Sequence, residues 1–412
     1  MLGVSRLLGG APSQADHLRY GPAVNGQAGV TRPVVVWTTS RRCNLHCIHC
    51  YSDSRDREYP EELSHEEARG LLKDLASFGV PAMLLSGGEP LLRPDLLDLA
   101  AYGRDLGLRL TLSTNGTMIT REMAQGIKEA GFTYVGISLD GIGAEHDRFR
   151  GTRGAFEATL AGIRHCRAVE QRVGLRLTLT KSTVGQLAAL FDFAEREGIQ
   201  RICFYHLVPS GRGRRISNTT LAPEAARMAV GHIFAQALDY ARRGLDIEIL
   251  TVDNHADGAF LTLWAESRLD RERAAQTTRL LTRNGGNRSG SAIAHVDNLG
   301  NVHPDQFSWS VTVGNVRQRP FSDIWADESQ PMLAALRQRQ TLLPERCRQC
   351  RFLGMCNGNL RARALAYTGD LWGFDPGCYL TDKEISAGEM TSPSPSLSRR
   401  GKDEAPSLPR SG

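Results

Sequence analysis

Six strand-then-helix patterns follow one another between residues 33 and 242, and this alternation limits the fold more than any other feature of the chain. Apolar runs at "PVVVWT" (33–38), "PAMLL" (81–85), "LRLTLS" (108–113), "YVGISL" (134–139), "GLRLTLT" (174–180) and "RICFYHLV" (201–208) read as buried strands. Helical patterns separate them. In the clearest, Ser64 and Glu67 make a capping box, Ala68, Leu71, Leu72, Leu75 and Ala76 share a face, and Gly79 ends the run. Others start near 94, 120, 153 and 186, and "PEAARMAVGHIFAQALDYARR" closes the series. Such units build a parallel sheet with right-handed crossovers, either doubly wound or curled.

The polar motifs decide between those two. The first cysteine cluster, "SGGEP" (86–90), "STNG" (113–116), "SLDG" (138–141), Thr180 and His206 each fall at or just past the carboxyl end of successive strands. Motifs gathered on one rim mark the mouth of a barrel. Six units are short of eight, so the expected fold is α/β, a partial (β/α)6 TIM-like barrel.

Seven of the nine cysteines lie in two tight groups, which suits metal or iron–sulfur binding in a reducing compartment better than disulfides. Cys166 and Cys203 stand alone in apolar surroundings as core thiols. Cys43, Cys47 and Cys50 form C-x3-C-x2-C. Three thiolates on a [4Fe–4S] cubane leave one iron open to an amine and carboxylate; the alternative is zinc completed by His46 or His49. Cys347, Cys350, Cys356 and Cys378 supply four ligands, enough to close an auxiliary cluster site or a zinc ribbon.

At the other strand ends, Gly87 and Gly88 let a ligand approach the backbone, and Glu89 offers acceptors to an ammonium group. Ser113, Asn115, Ser138 and Asp140 suit ribose hydroxyls and a carboxylate, although each is also an ordinary turn residue. After the sixth strand come His206 and a loop with Arg212, Arg214 and Arg215, suited to meeting carboxylates or simply a solvated basic loop. His255 and His303 lie in polar, Gly-containing stretches further on, where a lone histidine is more often structural than a ligand.

The formal charge of +5 over 412 residues, with both signs interleaved, gives no nucleic-acid footprint. No apolar run approaches the roughly 20 residues of a membrane helix, and "MLGVSRLLGG" lacks a signal-peptide core, so a cytoplasmic protein is expected. Composition divides the chain into a flexible segment (1–32), the barrel (33–245), a bridging and auxiliary-cluster region (246–386) and a disordered Ser/Pro-rich tail (387–412).

"CNLHCIHCY" with "SGGEP", "STNG" and "SLDG" resembles the radical S-adenosylmethionine (SAM) superfamily. The resemblance implies that Cys43, Cys47 and Cys50 hold a [4Fe–4S] cluster whose open iron binds SAM. It also places Tyr51 near the adenine, Gly87 to Glu89 at the amino group, and Ser113, Asn115, Ser138 and Asp140 at the ribose and carboxylate. The second cysteine group resembles the SPASM/twitch extension. The full SPASM pattern has a cysteine four residues beyond the third, where this chain has Leu360, which favours one auxiliary cluster over two. Beyond these motifs, "CFYHLVPSGRG", "EILTVDNHADG", "NGGNRSG", "GNVHPDQF" and "GDLWGFDPGCYLTDKEI" are similar to the radical SAM family of haem d1 biosynthesis, over roughly residues 31–386.

That likeness implies a sirohaem-type tetrapyrrole substrate, 12,18-didecarboxysirohaem, with its ring A and B propionates modified through a 5′-deoxyadenosyl radical. An alkyl C–H has no acidic proton, so radical abstraction suits the task. The reductant implied is a flavodoxin- or ferredoxin-type donor. His206, Arg212, Arg214, Arg215, His255 and His303 are the substrate-side candidates. Tetrapyrrole decarboxylases of the alternative haem route and peptide-modifying SPASM enzymes are the competing readings, and a non-catalytic iron–sulfur or zinc protein is a third.

Overall fold

Period-two alternation along the strands sorts their side chains to the two faces of one sheet. The computed structural model describes residues 1–10, 16–21 and 31–386, so the tail expected at 387–412 lies outside the described residues. Among these, eleven strands join: β1 (Leu2–Gly3), β2 (Val34–Ser40), β3 (Met83–Gly87), β4 (Leu110–Thr114), β5 (Tyr134–Ser138), β6 (Val173–Leu179), β7 (Arg201–His206), β8 (Glu248–Val252), β9 (Ile293–Val296), β10 (Asn301–His303) and β11 (Gly314–Asn315). Strands β2 to β8 are parallel and neighbour one another in sequence order. The six expected strands are β2 to β7. The sheet does not close: β1 adds antiparallel to β8 at one side, β9 adds parallel to β2 at the other, and β10 and β11 continue from β9.

Val35, Trp37, Met83, Leu85, Leu112, Val135 and Ile137 point to the outer face and are buried in the core shared with the crossover helices. Their alternates Val36, Leu84, Ser86, Ser113, Ser138, Arg176 and Tyr205 line a central cavity instead. The core therefore lies outside the sheet and the polar cavity inside it. Local rules hold where the sequence states them. Helix His65–Phe78 has the full Ser64/Glu67 capping box and ends on Gly79 in the left-handed conformation, φ 78°.

The expected flexible N-terminal segment is corrected by residues 2–10. Leu2 and Gly3 pair with Thr251 and Leu250, and Val4, Leu7 and Leu8 of helix Val4–Gly9 are buried. Thr277 Oγ1 donates to Leu7 O at 2.8 Å, and Arg19 of helix Asp16–Tyr20 pairs with Glu248 at 2.7 Å. Composition misses this because the segment's few apolar residues gain their partner from the open edge of β8, which they also cover. Residues 11–15 and 22–30 of the same expectation lie outside the described residues. No described helix is long and apolar enough to cross a membrane.

Candidate functional site

The loop after β2 carries the first cysteines, and its own N–H and O–H groups face the sulfurs. Leu45 N donates to Cys43 Sγ (3.5 Å), Ser54 N to Cys50 Sγ (3.4 Å) and Arg150 Nη1 to Cys47 Sγ (3.6 Å), while Ser52 Oγ lies 3.4 Å from Cys50 Sγ. Donors aimed at sulfur favour its anionic, metal-bound form. Burial opposes that form in the metal-free protein, pushing the Cys43 thiol up to about 12 and raising Cys47 as well. Binding a metal must therefore displace these protons. Among the described residues no three His, Cys, Asp or Glu side chains converge as ligands of a single ion would.

All three cysteines line one cavity, continuous with solvent, at the carboxyl ends of the parallel strands. Arg212 also lines it, but as a clamp. Its Nε donates to Cys47 O (2.8 Å), Nη1 to Ser54 O (2.6 Å) and Asp53 Oδ1 (3.1 Å), and its backbone N to Cys50 O (2.9 Å). The expected flexible basic loop is thus corrected: residues 211–219 form a 3-10 run, with Gly211 at φ 55° where a Cβ would fall 2.4 Å from Tyr51 O. Close approach of two backbones excludes any side chain there. Arg214 and Arg215 are exposed and lie outside the cavity wall.

Gly87 and Gly88 line the cavity and bring the end of β3 onto the cysteine loop. Gly88 N donates to Ser40 O and Glu89 N to Arg42 O, both at 2.8 Å, and a Cβ on Gly87 would sit 2.2 Å from Ser40 O. The Glu89 side chain is fully buried and does not reach the cavity. It accepts from Asn115 N (2.7 Å), Thr114 Oγ1 (2.8 and 2.9 Å) and Leu91 N (3.1 Å), and burial raises its carboxyl to about 7. It is a strut between the ends of β3 and β4. Asp140 is a second strut: Oδ1 accepts from Thr178 N (2.7 Å) and Oδ2 pairs with Arg150, which in turn contacts Cys47. Ser113, Asn115 and Ser138 do line the cavity, and Asn115 Nδ2 also reaches Asn44 Oδ1 at 2.8 Å. Tyr51 lies there too, its hydroxyl 3.3 Å from Ser86 Oγ and its ring edge-on to Phe307 at 5.5 Å.

Of the substrate-side candidates His206, His255 and His303, His206 lines the cavity, as does His49 of the cysteine loop. Its Nε2 lies 3.0 Å from Asp257 Oδ2, and Asp257 Oδ1 accepts from Tyr379 OH at 2.6 Å, one residue from Cys378. His255 lines a separate small cavity, and burial lowers its pKa well below the usual histidine range. His303 donates from Nδ1 to Val311 O at 2.9 Å, in the segment after β10, and within the β9–β10 hairpin it stacks on His295 and pairs with Asp297 at 3.3 Å. Residues the sequence reading omits are Arg150, Arg176, Tyr205, Asp253 and Phe307, all on the cavity wall. Arg176 had a signal: with Thr178 it makes the polar inward set of a strand whose outward set is Val173, Leu175, Leu177 and Leu179.

Cys347, Cys350, Cys356 and Cys378 line one small cavity. Phe352 N donates to Cys350 Sγ (3.4 Å) and Arg346 Nη1 to Cys378 Sγ (3.8 Å). Four sulfurs round one small space supply the ligand number of a fully ligated auxiliary cluster. Cys166 and Cys203 are buried and remote from both groups, as expected of core thiols.

The radical SAM superfamily profile matches residues 37–194, and that of the SPASM iron–sulfur cluster-binding domain matches residues 288–351, which include Cys347 and Cys350. The chain is 48% identical over 395 residues to the Fe-coproporphyrin III synthase of Methanosarcina barkeri, covering 93% of this chain and 99% of that protein. It is 45% identical over 357 residues to the pre-heme d1 synthase of Dinoroseobacter shibae (86% and 88% covered), and 33% identical over 347 residues to an AdoMet-dependent heme synthase of Methanosarcina barkeri (84% and 95% covered). Among solved structures, Streptococcus suis SuiB bound to S-adenosylmethionine has the same fold, with a TM-score of 0.65 at 16% identity over 86% of this chain and 79% of that one. The chain therefore belongs to the haem-biosynthesis group of the radical SAM superfamily, enzymes built on iron–sulfur clusters and SAM.

Proposed function

We propose that the enzyme modifies the propionate side chains of 12,18-didecarboxysirohaem on the route to haem d1. The observation that carries this reading is coverage: three tetrapyrrole-synthase relatives align over 93%, 86% and 84% of the chain, and one of them is a pre-heme d1 synthase. Cys43, Cys47 and Cys50 would hold a [4Fe–4S] cluster that, with SAM bound, would supply the radical chemistry for abstracting hydrogen from a propionate carbon.

The chain's own residues do the rest. Arg212 fixes the cysteine loop by its carbonyls, and Arg150 sets positive charge against Cys47. Gly87 and Gly88 open the backbone to the SAM amino group, Ser113, Asn115 and Ser138 offer hydroxyl and amide groups to ribose and carboxylate, and Tyr51 with Phe307 walls the adenine. Glu89 and Asp140 keep those groups in place from behind. Preorganised polar groups of this kind orient the cofactor and exclude bulk water. Cys347, Cys350, Cys356 and Cys378 hold the auxiliary cluster, and His206, Asp257 and Tyr379 make a continuous contact from the cavity to its edge. A flavodoxin- or ferredoxin-type donor supplies electrons in the cytoplasm, whose reducing poise suits nine unpaired cysteines.

A second reading, formation of iron-coproporphyrin III, is favoured by the 48% identity over 93% of the chain to a synthase of that product. Anaerobic incubation of reconstituted protein with SAM, reductant and 12,18-didecarboxysirohaem, followed by mass analysis, separates the two. The expected result is 5′-deoxyadenosine together with a tetrapyrrole altered at its propionates. Iron-coproporphyrin III as the product establishes the second reading, and absence of 5′-deoxyadenosine removes both.

A further inference from the structure

Three arginines line the main cavity, and two of them are committed. Arg150 is bound to Asp140 and Cys47, and Arg212 to three carbonyl or carboxylate oxygens of the cysteine loop. Arg176 differs. It stands on the inner face of β6, level with Ser138 of β5 and Cys203 of β7. Its stem passes over Gly136, where a Cβ would lie 2.9 Å from Arg176 Cδ, and its guanidinium rests 4.8 Å from the centroid of the Tyr205 ring. Among the described residues it has no hydrogen-bond acceptor and no ion-pair partner. A guanidinium inside a barrel with its donors open is poised for an anion.

Asp253 is the second, independent observation. It follows β8 with a left-handed backbone, φ 67°, which a non-glycine residue adopts at a cost. Arg363 imposes that conformation from behind, donating to Asp253 O at 2.8 Å while itself locked to Asp375. Asp253 lines the same cavity as Arg176 and also the small cavity beside Met1, and its buried Oδ2 has no hydrogen-bond partner among the described residues. Arg176 and Asp253 act on each other electrostatically yet do not bond, so neither satisfies the other.

We propose that Arg176 and Asp253 form the subsite that seats one carboxylate arm of the tetrapyrrole, Arg176 donating its N–H groups to that carboxylate and Asp253 its carboxyl O–H. The assignment rests on the tetrapyrrole reading above. Burial raises the Asp253 carboxyl to about 6, opposed by the Met1 amine, Arg363 and Arg176 and reinforced by Asp305. Tyr205 on β7 faces it across the cavity. A bound carboxylate raises it further, so binding takes up a proton and weakens as pH rises from about 6 to 8.

The test is an equilibrium titration of the cluster-reconstituted protein, without reductant, with iron-coproporphyrin and with its tetramethyl ester, read by the porphyrin absorbance; SAM affinity is measured in parallel. Wild type should prefer the free acid. Arg176→Gln should weaken acid binding roughly 10- to 100-fold while ester and SAM binding hold. Asp253→Asn should flatten the pH dependence of acid binding, which separates Asp253 from His206. Arg176→Lys, which keeps charge but loses the planar fork, should fall between, and it serves if the glutamine variant fails to fold. Unchanged acid binding in the Arg176 variants, or a loss in SAM affinity instead, overturns the subsite. Failure of wild type to bind either porphyrin overturns the tetrapyrrole reading and the subsite together.

Discussion

Asp140 and Glu89 show what a residue's place on the rim does and does not reveal. Both lie at strand ends, where ligand-binding side chains gather, and both turn away from the cavity because buried donors claim their oxygens. Position along a strand is legible in sequence; the direction of a side chain in the loop beyond it depends on partners from other strands. Asp140 stays below its ordinary pKa despite full burial because Arg150 is beside it. Arg150→Met should therefore destabilise the apo-protein by about 3–5 kcal/mol in urea unfolding, since it strands a buried charge. The double variant with Asp140→Asn should recover much of that loss; equal losses in both would show that the pair is not coupled. Glu89 gives the opposite electrostatics. Its folded carboxyl, at about 7 against an ordinary 4.5, holds a proton that the unfolded chain releases. Folding thus takes up a proton between those values, and this group's contribution to stability declines as pH rises through them. Glu89→Gln cannot titrate, so its stability relative to wild type should climb from pH 5 to pH 8, by about 3 kcal/mol at most. A pH-independent difference in melting between the two proteins would contradict it.

At the scale of elements, β2 to β7 and the capped helix His65–Phe78 are legible because burial on the outer face enforces strict periodicity. Three pieces are not. β1 has two residues and exists only because β8 offers an edge. Helix Ala144–Arg150 is too short and too charged to show a stripe, and it is held by its place beneath the cysteine loop, where Ile48 N meets Phe149 O at 3.1 Å. The hairpin β9–β10 adds to β2 in parallel, a pairing across more than 250 residues that no local pattern encodes. The glycine pair, by contrast, states its own requirement. Gly87 has φ 153° and no room for a Cβ against Ser40 O. Gly87→Ala should push the ends of β2 and β3 apart, costing about 3 kcal/mol and weakening SAM retention. Thermal unfolding with and without SAM checks this; a variant with wild-type melting and SAM response would show that the junction tolerates the methyl group.

At the scale of the molecule, one sheet carries both cysteine groups into a single framework. The first group hangs from the end of β2, and β9, on the far side of β2, begins the region that ends in the second. The groups differ in ligand number: three sulfurs line the large cavity, while four line a smaller one. Removing a ligand should therefore have unequal consequences. Cys378→Ala deletes one corner of the four-cysteine site, beside the Tyr379–Asp257–His206 contact, and leaves the cysteine loop untouched. After anaerobic reconstitution the variant should bind roughly four irons per chain instead of roughly eight, with sulfide in the same proportion. Its first cluster should still generate 5′-deoxyadenosine, while conversion of the tetrapyrrole fails. Cys50→Ala should do the reverse, keeping the auxiliary iron and losing SAM cleavage altogether. If instead Cys378→Ala leaves tetrapyrrole turnover intact, the auxiliary cluster is a structural staple and the contact from His206 has no part in the reaction. If it empties both sites, the shared sheet transmits damage from one to the other, and the two groups form a single unit of stability.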